Sequence, residues 1–133
     1  MSAAEIETIR TLYAAVERND WETAAQHADP EFAFTPPDVN PLRGTYRGVE
    51  AVRQFFEELW AAFDEVELTP TEFIEADDGR ILAFLDFELR PTGTDASIAQ
   101  HIAHLWTMRS GKAFDCRVYV ERAEALAAAG LPA

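Results

Sequence analysis

Apolar residues along the chain change period several times, and each change marks an element. Ile6, Ile9, Tyr13 and Val16 recur every three or four residues, the spacing of one helix face, and Ser2 with Glu5 forms a candidate capping box ahead of them. This first helix should run to about Asn19. Asp20 can cap a second, short helix carrying Trp21, Ala24, Ala25 and Ala28, which stops at Asp29-Pro30 because proline disfavours helical geometry in the residue before it. From Glu31 to Thr35 the pattern becomes alternation, with Phe32 and Phe34 on one side of a short strand.

The segment Pro36-Pro37-Asp38-Val39-Asn40-Pro41 cannot continue a ladder, since prolines lack the donor, and reads as a loop able to rim a pocket. A very short strand around Tyr46 leads through Gly48 into Val52, Phe55, Phe56, Leu59, Trp60 and Phe63, spaced for a third helix with a broad apolar face. Four strand candidates follow, 65–76, 80–89, 98–109 and 113–120, joined by Asp77-Asp78-Gly79, by 90–96 and by Ser110-Gly111. Such short, turn-rich connections favour antiparallel hairpins. An Ala-rich segment at the end predicts a last short helix. Helices first and a strand meander after give an α+β fold, with helices packed on one face of a mainly antiparallel sheet.

Composition narrows the function classes. With 133 residues, 48% of them hydrophobic, the chain has the size of one domain with a substantial core. A formal charge of −13 disfavours nucleic-acid phosphates and anionic membranes as partners. The N-terminus has neither a basic nor an apolar leader region, and no window is apolar enough to span a bilayer, so the expectation is a soluble cytoplasmic protein. A single cysteine, Cys116, excludes an intrachain disulfide and a thiolate zinc site.

Several local words, taken in order, resemble a known family: Leu12-Tyr13-Ala14-Ala15 with Asn19-Asp20-Trp21, then Ala28-Asp29-Pro30, Tyr46-Arg47-Gly48 with 52–56, Trp106 to Lys112, and Glu121 to Leu126. They are similar to the SnoaL-like branch of the nuclear-transport-factor-2-like superfamily, over nearly the whole of 1–133 and as a single domain. The resemblance implies three N-terminal helices packed in a strongly bent sheet, a cone with an apolar pocket at its open end, and a homodimer formed through the outer sheet face. It leaves the activity open, because polyketide cyclases, ketosteroid isomerases, epoxide hydrolases and dehydratases share the fold.

Alternation on the 98–109 strand places Gln100, Ile102, His104, Trp106 and Met108 on one face, and that bulkier set should line the cone. His104 then falls where the isomerases carry an oxyanion-binding acid, and a histidine in an apolar cavity can act as a base or donor. Tyr13 lies near the position of a pocket tyrosine in relatives, although the Asn19-Asp20 match puts Leu12 there. The remaining wall should come from Phe34, Thr35, Phe56, Trp60, Cys116, Val118 and Val120. The usual carboxylates are missing: Thr35 stands where the isomerases have their base, and Val118 where the cyclases have an acid. Asp38 on the rim could swing inward as a substitute.

Other candidates are weaker. Asp86 alternates with inward Leu85 and Phe87, so it should face outward. Cys116 could be a nucleophile beside His104, but buried cysteine mostly packs as a small hydrophobe. His27 lacks ligand companions, and His101 and His104 point to opposite faces, so neither a metal nor another cofactor is expected. Three readings follow: a protein binding a small apolar or carbonyl-containing molecule in the cone; a cyclase or isomerase using His104 with Tyr13; and a dimeric interaction domain whose cone is plugged by its own side chains.

Overall fold

The computed structural model describes residues 2–37 and 44–132. Helix α1 (Ser2–Glu17) turns Ile9, Leu12, Tyr13 and Ala15 into the core. It ends in a Schellman motif: Asn19 adopts φ 60°, the Asp20 N–H donates to the Ala15 carbonyl at 2.8 Å and the Asn19 N–H to Val16 at 3.1 Å. Asn tolerates this left-handed position, which closes the helix two residues before the expected stop. The side chain of Ser2, half of the candidate capping box, lies outside the described residues. Asp20 caps α2 (Trp21–Gln26) as expected, accepting from the Thr23 N–H at 3.2 Å and the Thr23 hydroxyl at 2.7 Å.

Strand β1 (Ala28–Thr35) begins earlier than the alternation suggests. Ala28 and Asp29-Pro30 belong to this strand and not to the end of α2, because Ala28 pairs with Ala113 on the last strand and the His27 carbonyl accepts the Ala113 N–H at 3.0 Å. The pairing register shifts between Ala28 and Ala33, where Pro30 has no N–H to give. After β2 (Tyr46–Arg47) comes α3 (Val49–Trp60), followed by β3 (Phe63–Glu75), β4 (Ile81–Pro91), β5 (Ile98–Arg109), β6 (Lys112–Tyr119) and α4 (Arg122–Ala128). Phe63, expected in α3, opens β3 and pairs with Pro91.

The six strands form one open sheet in the order β2-β1-β6-β5-β4-β3. All neighbours run antiparallel except β1 and β6, which are parallel. Register shifts in the β3–β4 pair at Phe63/Glu65 and Pro70/Glu72, and in the β5–β6 pair at Thr107/Met108, mark bulges that bend the strands around the helices. Inside that curve, α1 and α3 bury Ile9, Tyr13, Val52, Phe55 and Phe56 against Phe34, Leu68, Ile81, Leu85 and Trp106. A smaller cluster lies on the opposite face, where α4 packs Ala125, Leu126 and Ala129 on Leu82, Phe84 and Leu105. Consequently Ile81 to Leu85 are buried on both faces of β4. No helix among the described residues is long and apolar enough to cross a membrane.

Candidate functional site

Two spaces meet inside the curve of the sheet. The inner one is a cavity of about 60 Å³ between α1, α2, α3 and the sheet, with Leu12, Tyr13, Trp21, Phe32, Val52 and Trp106 among its walls. The outer one is a cleft of about 520 Å³, bounded by Pro36, Pro37, Phe55, Leu59, Trp60, Phe63, Leu89, Gln100, His101, Ile102, Val118 and Val120. Phe34, Phe56, Phe87 and His104 line both and form the partition between them. A volume of this size lies within the range of small-molecule sites, which run to roughly 300–1,000 Å³.

His104 stands at the centre of the partition because β5 runs through the middle of the sheet. Its cross-strand partners are Ala83 on β4 and Val118 on β6, a small and a branched side chain that leave the imidazole pointing toward α1. The ring is 5% exposed and meets Phe34 and Phe87 edge-on, at centroid distances of 6.3 and 6.4 Å. Nδ1 lies 2.8 Å from the Tyr13 hydroxyl, and the Trp106 indole N–H donates to that same hydroxyl at 2.8 Å. Burial lowers the His104 pKa from 6.5 to about 3, so the ring is uncharged at neutral pH. It also raises the Tyr13 phenol well above its ordinary value and keeps it protonated.

The structure brings most of the expected wall together. Phe34, Phe56, Trp60, Gln100, Ile102, Val118 and Val120 surround the cleft, and Tyr13 and Trp106 lie behind it in the inner cavity. Leu12 lines the inner cavity too, but Tyr13 is the α1 residue that reaches His104. Three expected wall residues sit elsewhere. Thr35 borders a separate surface depression of about 330 Å³ beside Arg117 and Tyr119, because its side chain alternates away from Phe34. Met108 packs against the core cluster beyond Trp106, and neither cavity counts it in its walls. Cys116 is fully buried opposite Trp106, with a thiol whose pKa burial pushes well up, which suits packing and not nucleophilic attack.

Phe87, Phe55 and Leu59 also form the cleft. Their signal was present in the sequence as the inward alternation of β4 and the apolar stripe of α3. The indole N–H of Trp60, at the same cleft, is buried and has no acceptor among the described residues. No Asp or Glu lines the cleft among the described residues, and Asp38 lies outside them. Asp86 faces outward, where its carboxylate is hydrogen-bonded to Nδ1 of His101 across the β4–β5 pair. Among the described residues no group of three or more potential ligands is placed to hold a metal ion.

Comparison with known proteins places this geometry in a family. TerC, in a crystal structure obtained with polyporic acid, is 25% identical and superposes with a TM-score of 0.78 over 96% of this chain and 98% of its own. A nuclear-transport-factor-2-like protein of unknown function from Burkholderia pseudomallei is 25% identical, with a TM-score of 0.76 over 93% and 95% of the two chains. A protein of ketosteroid isomerase-like fold from Catenulispora acidiphila, solved with trimethylamine, is 18% identical, with a TM-score of 0.73 over 95% and 94%. No curated protein sequence matches the chain. The SnoaL-like domain matches residues 9–115, and the chain belongs to that family.

Proposed function

We propose that the protein binds a small, largely apolar molecule carrying a carbonyl or similar group in the cleft above His104. The observation that supports this most directly is a cleft of about 520 Å³ walled mainly by aromatic and aliphatic side chains, with the buried imidazole of His104 at its floor and the buried indole N–H of Trp60 in its wall. Aromatic walls supply most of the contact energy in such sites, and a few placed polar groups fix orientation. Enolisation of the kind performed by cyclases and isomerases needs a base as well as a donor. The cleft walls described hold no carboxylate, and His104 already engages Nδ1 with Tyr13, so binding without turnover is the reading that these residues support.

The test is calorimetry and thermal unfolding with 2-acetylnaphthalene, an aromatic ketone of suitable size. Binding to the folded state must stabilise it, by about 2.7 kcal/mol at a hundredfold excess over Kd. Ile102→Trp narrows the cleft from β5 and should weaken the ketone at least about tenfold, since overfilling a packed site is costly. An unchanged melting temperature, or an affinity indifferent to Ile102→Trp, would count against the cleft as a ligand site.

A further inference from the structure

The hydrogen bonds behind His104 carry more information than their distances. An indole nitrogen can only donate, so Trp106 occupies one lone pair of the Tyr13 oxygen. The phenol has a single proton, and the neighbour able to accept it within hydrogen-bond distance is Nδ1 of His104, at 2.8 Å. With the other tautomer, Nδ1–H would also point at the phenol oxygen. The phenol proton would then lack an acceptor among the described residues, in a place where an unpaired buried donor costs about 1–3 kcal/mol. The chain therefore runs from the indole N–H to the phenol oxygen and from the phenol O–H to Nδ1, leaving the imidazole proton on Nε2. That nitrogen has no protein partner among the described residues, and its ring lines both the cleft and the inner cavity.

We propose that Trp106 and Tyr13 are positioning residues that fix His104 as an Nε2–H donor, so that the cleft selects molecules presenting a hydrogen-bond acceptor, a ketone or aldehyde oxygen above all, over hydrocarbons of the same shape. The inference rests on the cleft being a ligand site and adds what that site discriminates. No Lys or Arg lines the cleft among the described residues, so the acceptor it suits is uncharged. A site built around a donor penalises a molecule without an acceptor, because that molecule covers the donor and leaves it unpaired. Tyr13 and Trp106 act through His104 and do not themselves reach the ligand.

The experiment uses the intact protein, labelled with ¹⁵N at histidine, and two probes, 2-acetylnaphthalene and 2-ethylnaphthalene, which differ in the carbonyl oxygen. Long-range ¹H–¹⁵N spectra should show the His104 proton on Nε2 in the free protein, and a shift of that resonance with the ketone alone. The ketone should bind about tenfold more tightly than the hydrocarbon, the worth of one hydrogen bond. In Tyr13→Phe the two tautomers should mix and the ratio should fall to about threefold; in His104→Leu combined with Trp60→Phe, which also removes the indole N–H at the cleft, it should fall to about one. Tautomer and ratio are both read on the unmutated protein, so the result does not depend on either variant folding. A proton on Nδ1, or equal affinities with both probes bound, overturns this inference and leaves the ligand site standing. Failure of both probes to bind overturns the ligand site itself and the selectivity with it.

Discussion

Tyr13 and His104 are 91 residues apart in the chain, yet their polar atoms meet at 2.8 Å and both side chains are buried. That burial has a consequence for stability. The folded protein holds His104 with a pKa of about 3, against 6.5 for an ordinary histidine. The contribution of the neutral ring is fully present above pH 6.5 and is lost as pH falls toward 3, because the unfolded chain binds a proton that the folded chain refuses. At pH 5 this amounts to about 2 kcal/mol. His104→Leu lacks that dependence, so the stability gap between the two proteins should change by about 2 kcal/mol between pH 7 and pH 5, in the direction that disfavours the unmutated chain at pH 5. Urea unfolding at the two pH values measures it. A gap that does not move with pH would mean that the folded ring takes up protons like an exposed one.

At the scale of elements, the entry to α3 decides where the cleft's inner wall stands. Gly48 precedes the helix at φ 86° and ψ 150°, a conformation that essentially only glycine adopts, and its N–H donates to the Phe32 carbonyl on β1 at 2.7 Å. An added Cβ would meet nothing closer than the Pro30 carbonyl at 3.9 Å, so the cost of Gly48→Ala is backbone strain and not collision. That variant should lose about 1–3 kcal/mol in denaturant unfolding, whereas a loss near zero would show the helix entry to be adaptable. Periodicity made the helices, the hairpins and the inward face of β5 legible, since each depends on residues close in sequence. The start of β1 at Ala28 was not legible, because it is set by parallel pairing with β6 some 85 residues later. Phe63 kept the helical spacing of α3 but answers to its partner Pro91 across the sheet. The apolar wall was readable for the same local reasons. The Trp106–Tyr13–His104 chain was not, because it depends on how α1 is rotated against β5, and Thr35 left the wall through the alternation that keeps Phe34 in it.

For the molecule as a whole, the sheet provides one curved support with two uses. Its inner face holds the helices and the cleft, and its outer face carries α4 and the His101–Asp86 pair. The net charge of −13 falls outside the cleft walls, which among the described residues carry no carboxylate and no Lys or Arg. Selection at this site is thus a matter of shape and hydrogen bonding. The most direct test is a map of backbone ¹H–¹⁵N shifts during titration with 2-acetylnaphthalene. The account predicts saturable changes confined to the cleft, at Phe56, Trp60, Phe87, Gln100, Ile102, His104 and Val118. Changes centred on the outer face around Phe84, Asp86 and Arg122, or none at all, would contradict it.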